Sequence, residues 1–428
     1  MISDTKTGRR PQVVIVGGGF GGIAAARAMR RGDADITLVD RQNHHLFQPL
    51  LYQVATAALS PAEIAWPIRR ILRRQQNVRV VMASVRGVDT DTQTVELGDR
   101  ELHYDYLVLA CGSTHAYFGN DDWAAHAPGL KDLHDATAIR RQLLRCFERA
   151  ELEDDPARRA ELLTFAVIGG GPTGVEMAGA ISELARHAMK SEFRRITPDM
   201  LRVLLIEAGD SLLAGFPQRL RNYAVRALGR LGVEVRLGSP VTAIDAQGIV
   251  FGDTRVDAAT TIWAAGVSAS PLAHDLPAGR DRHGRIRVDS SLRVGELDNV
   301  FAIGDMVVLE DENGKPLPGV AAVAKQQGAF VGKAIAATLA GTPRSKPFRY
   351  RDVGMLATIG RRAAIADLGW LRMRGWLAWW FWGLVHIYFL INSRSRIIVA
   401  VNWLWSYLTY DRSARLIIDD QASSGQPR

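Results

Sequence analysis

The sequence predicts an α/β protein: two Rossmann-like dinucleotide-binding domains followed by a C-terminal amphipathic helical region that anchors to a membrane. Three observations predict it. A glycine fingerprint occurs twice, as VVIVGGGFGG (Gly17, Gly19, Gly22) and as FAVIGGGPTG (Gly169, Gly171, Gly174). Each copy follows a short apolar, β-branched run and opens a helix rich in small residues (Ile23–Met29 and Val175–Leu184), the context in which such a match means a dinucleotide site. The last third is aromatic: seven of the ten tryptophans follow Gly369.

The fingerprint has a physical logic. Its first glycine makes the tight turn, its second lets backbone N–H groups approach a pyrophosphate, and its third lets helix pack close to strand, so that the phosphates sit at a positive helix N-terminus. After the first loop, Ile36–Val39 reads as the second strand and ends in Asp40, 18 residues beyond Gly22, where a carboxylate meets a ribose hydroxyl. The second unit repeats the plan with a longer insertion, its strand Leu201–Ile206 ending in Glu207. A carboxylate there accepts from a free 2′-hydroxyl and repels a 2′-phosphate. No arginine follows before Arg219, so the second site is expected to prefer NADH to NADPH, unless Glu207 is only a solvated strand-end acid. Two such sites in one chain imply electron transfer between two dinucleotides.

Further strand-to-glycine junctions follow at YDYLVLACGS (Tyr104–Ser113), TTIWAAGVS (Thr260–Ser268) and NVFAIGDM (Asn299–Met306). In the last, Asp305 is open to two readings, a helix cap or an acceptor for a ribityl hydroxyl. Leu133–Asp155 has helical spacing and reads as a helix with Cys146 a buried small hydrophobe. Cys111 and Cys146 are the only cysteines, which excludes a disulfide scaffold or a cysteine metal site and favours a reducing compartment; no metal is expected. The net charge of +8 is spread out, which argues against nucleic acid and for an anionic substrate or membrane surface. Arg9–Arg10 before an apolar run resembles an export signal, but the run is only Val13–Val16 and no cleavage site follows, so a cytoplasmic chain is expected.

The run Trp376–Ile391 is 16 residues, short of the roughly 20 that span a bilayer. Arg372, Arg374, Arg394 and Arg396 flank it, and Ile397–Tyr410 adds a second aromatic stretch ending in Arg412 and Arg415. Tryptophan and tyrosine favour the headgroup level, and arginine attracts anionic lipid. The reading is of segments lying in one leaflet, with a hydrophobic homodimer interface as the alternative. The tail Gln421–Arg428 reads as disordered.

On VVIVGGGFGG, DRQNHHLFQPLLYQVATAALSP, YDYLVLACGS, GGGPTGVE, WAAGV, AIGD, PGVAAVAKQQG and the aromatic C-terminus, the chain resembles the type II, non-proton-pumping NADH:quinone oxidoreductases, flavoproteins with two dinucleotide-binding domains. The resemblance runs from about Gln12 to Ile418. It implies a membrane-associated respiratory enzyme that passes electrons from NADH through non-covalent FAD to a quinone. It also implies 1–117 and 268–345 as the two parts of an FAD-binding domain, 118–267 as an NADH-binding domain and 346–428 as the membrane-associating region. FAD contacts carry over to Gly17, Gly19, Phe20, Gly22, Asp40, Gly112, Gly304 and Asp305, and NADH contacts to Gly169, Gly171, Gly174, Glu207 and Gly266. Glu176 matches a carboxylate beside the nicotinamide–flavin stack; two residues into its helix, the dipole is expected to keep it ionised. Asn43–Ser60 corresponds to a loop beside the flavin, with His44 and His45 as loop contacts. The implied partners are a quinone, the bilayer surface on the cytoplasmic face of the cell membrane, and a second copy of the chain; nucleic acid is not among them.

Two departures stand out. The family's quinone pattern A-Q-x-A-x-Q reads Ala321-Ala322-Val323-Ala324-Lys325-Gln326 here, so Ala322 removes one amide from a site expected to include Lys325 and Gln326. Cys111 replaces a common threonine. Cys111 and Cys146 do not stand in the cysteine contexts of sulfide:quinone reductases, and Arg41–Pro61 lacks the C-x4-C of disulfide reductases. The alternatives are a reductase of the same fold with a soluble acceptor, or an NADH-sensing signalling flavoprotein.

Overall fold

The computed structural model describes residues 9–343, 346–409 and 414–417; the tail from Gln421 lies outside them. In chain order, the elements that position the site are β1 (Gln12–Val16), α1 (Phe20–Ala28), β2 (Asp35–Asp40), α2 (Leu51–Ala55), β3 (Val78–Met82), β4 (Tyr106–Leu109), α3 (Leu133–Leu152), β5 (Thr164–Ile168), α4 (Pro172–Ser191), β6 (Arg202–Ile206), β7 (Val233–Arg236), β8 (Thr260–Trp263), β9 (Val300–Ala302), α5 (Ala321–Leu339), β10 (Met355–Thr358), β11 (Ala364–Asp367), β12 (Arg372–Gly375), α6 (Trp376–Phe389) and α7 (Ser393–Thr409).

The described residues form two compact units. The first draws on Met1–Leu46, Ala65–His115 and Val267–Val353; the second draws on Phe47–Ile64, Ala116–Gly266 and Gly354–Arg428. In the first, five parallel strands lie in the order β9-β4-β1-β2-β3. Its strands are apolar on both faces, as a sheet covered on both sides requires: Val13 and Ile15 face a core with Ala25 of α1, Met29 just after that helix, and Val331 and Ile335 of α5, while Val14 and Val16 face another with Val88 and Val95. Helices α1 and α5 approach closely because a Cβ on Gly328 would stand 2.1 Å from the Gly21 carbonyl oxygen, and one on Gly332 2.4 Å from that of Ala25.

The second unit repeats the arrangement with four parallel strands ordered β7-β6-β5-β8. Both sheets place the first strand between the second and fourth, the dinucleotide-binding order that puts ligands at the carboxyl ends of the central strands. Helix α4 runs to Ser191, past the predicted Leu184, because Ala185, Ala188 and Met189 continue its buried face. Helix α3 carries Cys146 at 1% exposure, and a reciprocal Asp132–Asp135 capping box fixes its start. The antiparallel sheet β10-β11-β12 leads into α6 and α7. These are 14 and 17 residues long, and no helix among the described residues is long and apolar enough to cross a membrane.

Candidate functional site

In the first unit, β1 delivers the chain into a glycine turn at the N-terminus of α1. Gly17 has φ +108°, and a Cβ there would lie 2.3 Å from the Ala110 carbonyl oxygen; one on Gly22 would lie 1.8 Å from the Gly17 oxygen. Gly19 has open space around its Cβ position. It is the N-cap of α1, with no side-chain cap and no acidic residue in the first turn, so the helix presents its N–H groups to an incoming anion. Asp40, ending β2, accepts from the backbone N–H of Gly18 at 2.5 Å and of Gln42 at 2.7 Å, which fixes its carboxylate at the rim of the turn. His45 lies 3.1 Å through Nδ1 from the Gly18 carbonyl oxygen, and its ring meets Phe20 edge-on at 4.9 Å. Burial lowers His45 to about 4, so at neutral pH it is an uncharged prop for the glycine turn. His44 bonds to Asn43.

Asp305 sits in a single helical turn and caps nothing; it accepts from the Ser113 hydroxyl at 3.2 Å, while the Gly304 N–H donates to buried Gln327 at 2.7 Å. Gly112, at φ +70°, has open space beside it. Burial pushes the Cys111 thiol up to about 12, which leaves it unreactive at neutral pH. These features fit a flavin dinucleotide: an uncapped helix N-terminus for the pyrophosphate, a carboxylate for a ribose and a second carboxylate, Asp305, for a polyol.

The second unit builds the same device. Gly169 has φ +112° and abuts the Ala264 backbone, where a Cβ would stand at 2.5 Å; Gly171, the uncapped N-cap of α4, has open space; and a Cβ on Gly174 would stand 1.8 Å from the Gly169 oxygen. Glu207 accepts from Gly170 N–H at 2.5 Å and Gly209 N–H at 2.6 Å, as Asp40 does in the first unit. Register pairs Ile206 with Arg236 of β7, an arginine that sequence distance concealed; its guanidinium bonds to Glu234 at 3.3 Å. Gly266 follows β8, where Trp263 stacks on Tyr117 at 5.0 Å and donates to the Ala116 carbonyl oxygen at 3.0 Å.

Glu176 is the fifth residue of α4, not the second, and its carboxyl is pushed up to about 8. The expected ionised state is corrected: desolvation outweighs the helix dipole and the one backbone N–H, from Thr358 at 3.3 Å, that the carboxylate accepts. The sequence reading missed the surroundings of Glu176. Tyr52 of α2 is 3.1 Å from the Thr358 hydroxyl, Gln53 donates to the Tyr52 hydroxyl at 3.0 Å, and Trp403 of α7 donates to Gln53 Oε1 at 2.8 Å. The signal available was Tyr52-Gln53 within LFQPLLYQVATAALSP and a second glutamate, Glu183, seven residues after Glu176.

Ala322, Lys325 and Gln326 occupy the first two turns of α5, in the first unit. The Gln326 amide both donates to the Arg351 carbonyl oxygen at 2.9 Å and accepts from the Arg351 N–H at 3.0 Å, so main chain engages both its ends.

In the C-terminal region Trp382 stacks on Trp403 at 5.1 Å and on His386 at 4.2 Å. The opposite faces are apolar and exposed: Leu377, Trp380, Leu384 and Tyr388 along α6, and Ile397, Val401, Leu404 and Trp405 along α7.

The comparisons agree with this geometry. Residues 11–328 match the pyridine nucleotide-disulphide oxidoreductase family, and residues 353–410 match the NDH2 C-terminal domain. The type II NADH:quinone oxidoreductase Ndh of Mycobacterium tuberculosis is 43% identical, over 97% of this chain and 92% of its own length. An internal alternative NAD(P)H-ubiquinone oxidoreductase of Arabidopsis thaliana is 32% identical, over 95% of this chain and 86% of its own. NDH2 of Plasmodium falciparum, solved in complex with NADH, shares the fold with a TM-score of 0.87 at 21% identity, over 96% of this chain and all of that one. The chain belongs to the type II NADH:quinone oxidoreductase family.

Proposed function

We propose that this chain oxidises NADH and reduces a quinone through FAD, without pumping protons. The observation that carries it is the duplicated glycine loop, one per unit, in a chain that aligns along nearly its whole length with type II NADH:quinone oxidoreductases. FAD, when bound, accepts the two electrons of NADH as a hydride and passes them on to the quinone. The chain supplies binding and position. Gly17, Gly19 and Gly22 with the α1 N-terminus hold the FAD pyrophosphate, Phe20 and Gly112 line its site, Asp40 takes the adenosine ribose, and Gly304 with Asp305 takes the ribityl chain. Gly169, Gly171 and Gly174 hold NADH, Glu207 selects its free 2′-hydroxyl, and Gly266 lines the same cleft. Glu176 orients the reacting groups and holds a proton. Ala322 and Lys325 border the quinone approach, and Gln326 fixes Arg351 there. In domain terms, 1–117 with 268–345 hold FAD and 118–267 hold NADH.

The exposed apolar faces of α6 and α7 support a reading in which the C-terminal region, 346–428, lies in one leaflet at the cytoplasmic face of the cell membrane, where the quinone resides, and in which two copies of the chain share that surface as a homodimer. The test is an anaerobic stopped-flow pair. NADH is expected to bleach the flavin rapidly, and a quinone analogue to restore it rapidly. Bleaching without restoration by any quinone refutes the assignment and favours a soluble acceptor or a sensing role.

A further inference from the structure

The first unit holds a cavity of about 330 Å³ between its edge strand β9 and helix α5. That volume is at the small end of the range, about 300–1,000 Å³, in which pockets hold small molecules. Asp298 and Asn299 lead into β9 and Tyr106 opens β4, so the cavity lies at the amino ends of these parallel strands, whereas Gly112 and Gly304 follow their carboxyl ends. None of the expected flavin contacts borders it.

Its walls combine rings with hydrogen-bonding edges. Tyr106, Phe301 and Phe330 supply the rings, all three part of the core that packs α1 and α5 on the sheet. Among the described residues at its border only Arg293 and Asp298 are charged, and they pair at 2.8 Å, so this lining carries no net charge. Asp298 accepts from Arg293 Nη1, which leaves Arg293 Nε buried and without an acceptor. A buried N–H with no partner is costly and rare in a native fold, and this one belongs to a side chain on the wall of a cavity of ligand size. Asn299 donates to the Asp105 carbonyl oxygen at 3.0 Å, while neither its Oδ1 nor the hydroxyls of Tyr106 and Ser291 bond to any described residue. The wall thus offers a guanidinium edge that only donates, an amide oxygen that only accepts and two hydroxyls that do either. A phosphate or carboxylate finds no uncompensated cation there, and a purely apolar molecule would leave these groups unpaired. The match is a flat, uncharged ring with donors and acceptors along its edge.

We infer that this cavity is a binding site for an uncharged purine, as the free base or its nucleoside, and that its occupant braces the Gly304 turn. The rings meet the base on its π-face, and Arg293, Asn299 and the two hydroxyls meet the ring nitrogens and the exocyclic group on its edge. Phe301 stands three residues before Gly304 and Phe330 three residues after Gln327, and the Gly304 N–H donates to Gln327 at 2.7 Å. A base seated between the two rings joins β9 to α5 a second time, beyond that bond. The brace, unlike the site itself, rests on the reading of Asp305 as a flavin contact.

The test uses the full-length, FAD-loaded protein with excess ADP-ribose, which occupies the NADH site and leaves the cavity to the probe. Calorimetric titrations with adenine and with adenosine should saturate below about 1 mM. AMP should bind about tenfold more weakly or worse, because its phosphate brings a charge that the lining does not balance. Two variants address the walls: Ala334→Phe puts a ring into the cavity, and Arg293→Lys keeps the charge beside Asp298 while removing the Nε edge. Each should weaken adenosine about tenfold or more, with FAD content unchanged. Adenosine should also raise the temperature at which wild type releases its flavin, and leave that of Ala334→Phe where it was. Absence of saturable binding, or wild-type affinity in the folded variants, overturns the site; if Ala334→Phe does not fold, Arg293→Lys decides alone. AMP binding as tightly as adenosine overturns the uncharged class. Saturable adenosine binding that leaves flavin release unmoved overturns the brace, whereas wild-type flavin retention in Asp305→Asn overturns the reading of Asp305 instead.

Discussion

Gly174→Ala separates the two nucleotide sites. The added Cβ would stand 1.8 Å from the Gly169 carbonyl oxygen, and ordinary contact begins at 3.4 Å, so α4 must retreat from the β5 turn by up to 1.6 Å. Neither atom can give way by rotation, since one is backbone and the other is a Cβ. Overpacking of this kind costs about 1–3 kcal/mol, and displacing a binding loop by about 1 Å costs on the order of 100-fold in a positioned reaction. The NADH concentration that half-saturates flavin reduction should therefore rise about 10- to 100-fold, equivalent to about 1.4–2.7 kcal/mol. FAD content should be unchanged, because α1 and its turn lie in the other unit. The mirror variant, Gly22→Ala, meets the Gly17 oxygen at the same 1.8 Å and should lose FAD. Stopped-flow flavin reduction against NADH concentration, with flavin content from the absorbance of denatured protein, reads both. Wild-type NADH affinity in Gly174→Ala, or flavin loss there with retention in Gly22→Ala, would refute the assignment of the two loops.

Glu207→Gln should narrow the preference for NADH over NADPH by raising NADPH turnover, since one like charge leaves the 2′ position; equal wild-type rates with both nucleotides would already refute the role. Glu176 holds its proton to about 8 in the fold, against an ordinary 4.5, so between those values the unfolded chain ionises while the folded chain does not, and stability falls as pH rises. Melting temperatures of wild type and Glu176→Gln should therefore diverge from pH 4.5 to 8 in favour of the variant, and parallel curves would contradict the shift. His45→Ala should weaken FAD retention through the lost contacts to Gly18 and Phe20, with no change in the pH profile, because His45 is already neutral. Replacing Leu377, Leu384, Tyr388, Val401 and Trp405 together by serine should release the protein from anionic liposomes without loss of flavin; a soluble wild type would mark these faces as a subunit interface.

The sheets were legible because a parallel strand covered on both faces is apolar throughout, and because steric demand at a strand-to-helix turn admits only glycine. Gly17, Gly22, Gly169 and Gly174 each carry a clash that any side chain would make, so their spacing encodes the turn directly. Asp40 and Glu207 were equally legible, because the fingerprint specifies the whole strand–turn–helix–strand unit and each ends the second strand of its own. Arg236 was not. It reaches the neighbourhood of Glu207 through register between β6 and β7, and register is set by packing across the sheet rather than by spacing along the chain.

Glu176 shows the same limit in its electrostatics. Position on a helix predicts the dipole, which favours a charged carboxylate by typically a fraction of a kcal/mol up to about 1 kcal/mol. Burial depends on what packs against that turn, here Tyr52 from a segment more than a hundred residues earlier and Thr358 from one nearly two hundred later. Desolvation of a buried carboxyl exceeds the dipole's contribution several-fold, so the long-range contacts decide the proton. The same reasoning bears on truncation. Because Trp382 and Trp403 border a cavity beside Tyr52 and Gln53, removing the aromatic C-terminus takes away a wall of that cavity along with the exposed apolar faces of α6 and α7. Exposed-face substitutions on α6 and α7 are therefore the perturbation that separates attachment from catalysis: they leave Trp382, buried at 1% exposure, and the Trp403–Gln53 bond in place.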